Sequence, residues 1–376
     1  MQLLGGLTAA QFLARHWQKR PLLVRSAIPG FRDPLTPRQL QRLACRPEVE
    51  SRLVWRQQGK WRLEHGPLAP ARFADMGMKN WTVLVQGLNL QSDKADALLR
   101  LFRFLPAARL DDIMASYAAP GGGVGAHVDS YDVFLLQGKG RRRWRISRQA
   151  DHRLRAGAPL AVLSHFQAEE EWTLEPGDML YLPPQIAHEG VALDECVTWS
   201  IGFRAPAPRE IGAALLDRLD QLLHAAAMPP IYSDPNPGTT VSPGRIPAGM
   251  IGYAGKIAAL LKLTDSRIEA ALGQALSEPK AGVSFDTPEP AMSGQSFAAA
   301  MRARGLRLDR RTQLLYRSGN FYINGEVLAS AGFDGSMLRE LSDNRCIPAC
   351  PAPAASTHGL LYRWYLYGWL HAGSPP

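Results

Sequence analysis

The chain has 376 residues, 46% hydrophobic and 20% charged, proportions of a folded protein long enough for two or three cores. A disordered chain is excluded, and so is a helical membrane span, since no stretch reaches the roughly 18 uncharged apolar residues one needs. A net charge of +9 and a sequence pI near 9.6 favour residence near a polyanion such as RNA or a ribosome but carry no information about chemistry.

The opening residues, MQLLGGLTAAQFLARHWQKR, lack the basic-apolar-small order of a secretory signal, so the expected location is the cytoplasm. A helix is predicted over about Thr8 to Gln18, a short strand at Pro21–Arg25 and a second helix over Pro37–Cys45. From Ser51 onward short β-rich runs dominate (SRLVWRQ, WRLEHGP, WTVLVQGL, DDIMASYA, DVFLLQG, RRWRIS, EEWTLEPG, DMLYLPP, CVTWSIGFRAP), interrupted by a helical stretch at Lys94–Leu105. Many short strands at this spacing predict a barrel or sandwich. After Pro206-Ala-Pro208 the pattern turns helical at Arg209–Ala227, Met250–Leu263 and Asp265–Leu276, around a Pro/Gly/Ser/Asn-rich loop at Pro229–Gly249. These helices carry more apolar surface than they can hide among themselves, which predicts a homodimer interface; packing on the barrel is the alternative. A linker at about Glu278–Ser293 leads to a terminal unit: helix Gly294–Arg304, strands Thr312–Arg317 and Asn320–Ile323, helix Ser336–Ser342 and an aromatic helix Thr357–His371. That order resembles a winged helix. The expected domains are therefore 1–206, 207–280 and 290–376.

Four scattered cysteines (Cys45, Cys196, Cys346, Cys350) make no disulfide framework, and Cys346-x3-Cys350 lacks the further ligands of a zinc site. Cys196 is expected to be a small buried apolar residue, His152 and His165 to be solvated, and Trp17, Trp55, Trp61 and Trp81 to pack rather than stack a ligand.

The chemistry lies in Gly121-Gly-Gly-Val-Gly-Ala-His127-Val-Asp129 and, downstream, Gly177-Asp178-Met-Leu-Tyr-Leu-Pro183-Pro184-Gln-Ile-Ala-His188. On a strand, His127 and Asp129 project to the same side. The glycines allow a tight bend and leave room near a metal. Two imidazoles and a carboxylate form the facial triad of non-haem Fe(II) oxygenases, with open positions for 2-oxoglutarate and O2. Such an enzyme needs a cation for the far carboxylate of the co-substrate. In Gly138-Lys-Gly-Arg-Arg-Arg-Trp144-Arg145 alternation puts Arg142 inward with Trp144, while Arg141, Arg143 and Arg145 face out.

Segments Arg15-His-Trp-Gln-Lys-Arg-Pro-Leu-Leu-Val, Pro120-Gly-Gly-Gly-Val-Gly-Ala-His-Val-Asp, Tyr131-Asp-Val-Phe, Gln137-Gly-Lys-Gly-Arg-Arg-Arg-Trp, Pro176-Gly-Asp and Ser200-Ile-Gly-Phe-Arg-Ala-Pro closely resemble the bacterial JmjC-type ribosomal oxygenases. The resemblance is dense over about residues 10–206 and continues in outline to the end. It implies an α+β fold: a double-stranded β-helix (cupin/JmjC) barrel, a helical dimerisation region and a C-terminal winged-helix-like domain. It also implies hydroxylation of an arginine side chain of large-subunit ribosomal protein sixteen, using Fe(II), 2-oxoglutarate and O2. Carried over by position, it makes His127, Asp129 and His188 the iron ligands, Arg142 the holder of the distal carboxylate, and Asp112, Met114 and Tyr131 contacts of the target arginine. One departure is Gln185, where cupin motifs usually have glycine. Two other readings stand beside this one. A 2-oxoglutarate-independent metal cupin has little use for an inward Arg142. A winged-helix regulator with a sensing barrel is poorly served by Ser336–Ser342, which holds one arginine offset by a glutamate, so direct nucleic-acid binding is not expected.

Overall fold

The computed structural model describes residues 2–225, 233, 246–349 and 353–373, so the predicted loop at Pro229–Gly249 and Cys350 lie largely or wholly outside the described residues. The chain divides into two compact units, 1–205 with 282–284, and 206–281 with 285–375.

The first unit runs α1 (Ala9–Arg15), β1 (Leu22–Val24), α2 (Pro37–Ala44), β2 (Ser51–Gln57), β3 (Lys60–His65), α3 (Arg72–Asp75), β4 (Trp81–Val85), α4 (Leu88–Gln91), α5 (Asp93–Leu99), β5 (Leu110–Ala118), β6 (Asp132–Gln137), β7 (Arg142–Ser147), β8 (Glu170–Leu174), β9 (Met179–Leu182), β10 (Ala187–Ala192) and β11 (Cys196–Phe203). Both early helices start where a threonine and a glutamine three residues on cap each other reciprocally, Thr8 with Gln11 and Thr36 with Gln39. Pro37 sits at the start of α2, where its missing N–H costs nothing. The predicted helix at Lys94–Leu105 stops earlier, at Leu99, and closes in a 3-10 turn at Arg100–Phe102.

Eight strands form the major sheet, in the order β1-β9-β6-β11-β5-β4-β2-β3, and β10-β7-β8 form the minor one. All paired strands are antiparallel, and β11 is buried along its length, as befits the central strand. The outer face of the major sheet carries the main core, where Phe12 of α1 and Leu40 of α2 join Leu53, Phe134, Tyr181 and Trp199. Its other face and the minor sheet enclose a smaller core that includes Val133, Leu135, Trp144 and Leu180. The polar cavity described below opens beside this inner layer.

The second unit comprises α6 (Pro208–Ala225), α7 (Ala248–Leu260), α8 (Asp265–Ser277), α9 (Gly294–Arg304), β12 (Leu306–Leu308), β13 (Leu314–Arg317), β14 (Asn320–Ile323), β15 (Glu326–Ala329), α10 (Gly335–Asn344), β16 (Cys346–Ile347), α11 (Ala355–Leu366) and β17 (Leu370–Ala372). Strand β14 and the turn after it are tied to α8: Tyr322 donates to Glu269, and the Gly325 N–H donates to Ser277. Helix α8 thus belongs to the same body as the terminal strands. The predicted helix to His371 ends at Leu366 because Gly368 turns left-handed (φ +73), and a Cβ there would lie 2.4 Å from the Asp286 carbonyl. The chain then pairs β17 with β12. Strands β12 and β15–β17 escaped the sequence reading because two to four residues are too few to show a period. Within the described residues no helix is long and apolar enough to cross a membrane.

Candidate active site

His127 and His188 face each other across a two-way backbone bridge: the His127 N–H donates to the His188 carbonyl at 3.0 Å and the reverse bond is 2.8 Å. Each ring spends Nδ1 on the carbonyl two residues before it, His127 on Gly125 at 3.0 Å and His188 on Ile186 at 2.9 Å. With Nδ1 as the donor, the lone pair falls on Nε2, and the hydrogen bond fixes the ring's orientation. The Asp129 carboxylate lies 3.9 Å from Nε2 of His127 and 3.6 Å from Nε2 of His188. One ligand atom from each of the three residues falls within 4.8 Å of the others, and no other such group of His, Cys, Asp or Glu occurs among the described residues. Burial, and next the neighbouring His127, push the His188 imidazole down to about 4, so it is neutral at pH 7 and able to ligate. Two imidazole nitrogens and one carboxylate converging in this way fit a divalent transition metal with open coordination positions.

The local backbone differs from the expected strand. His127 makes a single bridge, and Asp129 lies in an irregular loop that ends at β6. Asp129 is held by its carbonyl, which accepts from the Gln185 N–H at 2.8 Å. Gln185 itself is left-handed (φ 67), the conformation that glycine adopts without cost, which accounts for the usual glycine at this position. The glycines before His127 bend the chain as expected, Gly121 and Gly125 at φ 77 and 85, and Gly123 lines the cavity beside the triad. A Cβ on Gly123 would sit 2.4 Å from the Gly190 carbonyl, so the run also permits two backbones to cross.

A cavity of about 230 Å³ opens from the triad. Arg142 enters it beside Trp144, each 5% exposed. Its Nη1 donates to the Ser116 hydroxyl at 2.8 Å, whereas Nε and Nη2 are buried without a partner. Those two nitrogens form the guanidinium edge that takes a carboxylate through paired hydrogen bonds, and leaving them desolvated and unpaired is costly. Met114 and Tyr131 line the cavity; Asp112 is not among its lining residues, and its Oδ2 accepts from the Gly87 N–H at 2.9 Å. Burial first, then the charges of Asp129, Asp112 and Asp111, raise the Tyr131 phenol well above its usual range. These three acids give the Tyr131 side of the cavity a negative field. Ser116, Ser200 and Arg52 also line the cavity and were missed in the sequence, where nothing distinguishes them from other strand residues.

The other histidines and tryptophans follow their surroundings. His165 is exposed, but His152 is half-buried, with Nε2 cut off from solvent and unpartnered. Trp17 stacks on Tyr181, Trp81 is buried, and Trp55 and Trp61 lie under Arg72 and Arg56. Cys196 is fully buried.

Comparison with known proteins agrees with this geometry. Residues 97–211 match the model of the JmjC domain, and residues 259–371 match that of the ROXA-like winged helix. The chain is 36% identical over 321 residues to the ribosomal protein uL16 3-hydroxylase of Escherichia coli, covering 85% of each chain. It is 30% identical to a probable ribosomal oxygenase of Haemophilus influenzae, covering 91% of this chain and 87% of that one. The X-ray structure of E. coli YcfD superposes with a TM-score of 0.85 at 33% identity, covering 97% of this chain and 98% of the other. The structure of the ribosomal oxygenase YcfD in complex with cobalt and 2-oxoglutarate gives 0.80 at 33% identity and the same coverage. By sequence and by fold, the chain belongs to the JmjC ribosomal oxygenases.

Proposed function

We propose that this protein is an Fe(II)- and 2-oxoglutarate-dependent oxygenase that hydroxylates an arginine side chain of the large-subunit ribosomal protein uL16, in the cytoplasm. The observation that carries the reading is the buried, half-unpaired Arg142 in the same cavity as the triad, because a facial triad alone would serve other metal cupins equally well. The E. coli relative named for uL16 hydroxylation and the YcfD complex with 2-oxoglutarate support it.

In this reading His127, Asp129 and His188 hold the metal and Arg142 holds the distal carboxylate of 2-oxoglutarate. When bound, the metal and 2-oxoglutarate supply the oxidising power: O2 and the keto acid are consumed, succinate and CO2 leave, and one oxygen enters a substrate C–H bond. The chain's own work is positioning and exclusion. The backbone bonds to Gly125 and Ile186 aim both imidazoles, and Trp144 with the inner apolar layer keeps water from the Arg142 end. Met114 offers an apolar wall to the aliphatic stem of the target arginine and Tyr131 a hydrogen-bonding group, while Asp112, outside the cavity lining, adds negative charge that suits its guanidinium.

Turnover of 2-oxoglutarate with Fe(II) under air, with and without a peptide carrying the uL16 arginine segment, tests the whole reading. A gain of one oxygen on arginine by mass spectrometry, absent in Asp129→Ala, is the expected result. Turnover that leaves the peptide unmodified would remove the substrate assignment, and no turnover would remove the reading.

A homodimer through the helical region is part of the same proposal. Helix α7 has no buried residue, and Met250, Ile251 and Leu260 are 45%, 60% and 40% exposed, an apolar surface of the kind a protein partner covers. Light scattering of the full chain is expected to show twice the chain mass.

A further inference from the structure

We infer that Arg52 is a second carboxylate-binding residue, sharing with Arg142 the distal carboxylate of the dicarboxylate co-substrate; this rests on the function proposed above. Four observations lead to it. Arg52 lines the cavity that holds the triad and Arg142. It faces the cavity together with Val54, while Leu53 between them belongs to the outer core, so its inward direction follows from the alternation of β2. Arg52 pairs in register with Leu84, and Leu84 with Ser116, the residue that already anchors Arg142. Arg52 and Ser116 therefore stand in one row across the sheet, about 10 Å apart at about 4.8 Å per strand, a gap that a long arginine side chain can span. Finally, Arg52 has no ion pair among the described residues, and its Nε is buried without a partner.

The chemistry points to an anion. A carboxylate offers about four acceptor positions, and Arg142 has only Nε and Nη2 left to fill them. A second guanidinium can supply the rest.

The test is calorimetric titration of 2-oxoglutarate, and separately of succinate, into the full chain loaded with Mn(II) without O2, so that binding is read without turnover. Arg52→Met is expected to weaken both dicarboxylates about tenfold, and Arg52→Lys to restore most of the loss. Added salt is expected to narrow the gap between wild type and Arg52→Met, since it screens charge but not packing. The unfolding midpoint is recorded for each variant, and if Arg52→Met does not fold, Arg52→Gln takes its place. Equal affinities in wild type and the neutral variant would overturn the role of Arg52 and leave the oxygenase reading standing. A wild type that binds neither dicarboxylate would overturn both.

Discussion

The two units differ in what they leave unsatisfied. Both hold buried polar atoms without a partner, but in the first the ones that line the cavity of the triad are donors of two arginines and a tryptophan: Nε and Nη2 of Arg142, Nε of Arg52 and Nε1 of Trp144. In the second, the most deeply placed charge is saturated. Asp309, 2% exposed, accepts from the N–H and Nε of Arg311 and pairs with Nε2 of His371, and Arg311 reaches on to Asp286. Beside unpaired buried atoms of Arg218, Gln274 and Asn324 around a pocket of its own, the second unit leaves an apolar surface open along α7. An unpaired buried donor calls for a small ligand that can enter and bond, whereas an exposed apolar helix calls for another protein surface. The same chain therefore shows two kinds of incompleteness, one chemical and one associative, next to a network that is complete and serves stability.

Asp309→Asn is the largest expected disturbance. Burial alone would raise the Asp309 carboxyl, but bonds from His371 and Arg311 outweigh it and hold the group well below the usual carboxylate range. A depressed folded pKa means the stabilisation is present above the unfolded value of about 3.9 and is lost as pH falls through the folded one. The substitution should cost about 3 kcal/mol of unfolding free energy at pH 7, by denaturant titration, with 2-oxoglutarate affinity unchanged. If that affinity fell as well, the division into a stabilising network and a ligand site would fail.

Arg142→Met should do the reverse. Loss of charge-assisted bonds worth about 1.5 to 3 kcal/mol each is expected to weaken 2-oxoglutarate binding about a hundredfold, while stability holds or rises because an unpaired buried guanidinium is removed. A large loss of stability instead would mark Arg142 as structural.

Ile251→Asp is the mildest change. It should shift the light-scattering mass toward one chain and leave turnover per site close to wild type. An unchanged mass would move the dimer contact away from α7.

Much of the candidate site was legible because strand chemistry is local. Alternation alone put Arg142 and Trp144 on one side, and both are 5% exposed, while Arg143 and Arg145 are only half-buried. The His127, Asp129 and His188 spacing named a metal-binding set, and the structure converges it. Alternation on β2 keeps Arg52 and Val54 on one side, but nothing in the sequence says which side of that strand faces a cavity. That depended on which strands lay beside it.

The sequence by itself determined the triad's residues, the inward arginine, the barrel's strands other than β10 and the longer helices, since each follows from residue type, caps and a period of 2 or 3.6. Only the tertiary structure decided that Ser116 anchors Arg142, that Arg52 shares its row, that Gly123 lets the backbone pass Gly190, and that α8 joins the terminal strands. These are pairings between residues distant in the chain. Their register is set by how whole faces bury against one another, and no local pattern records it.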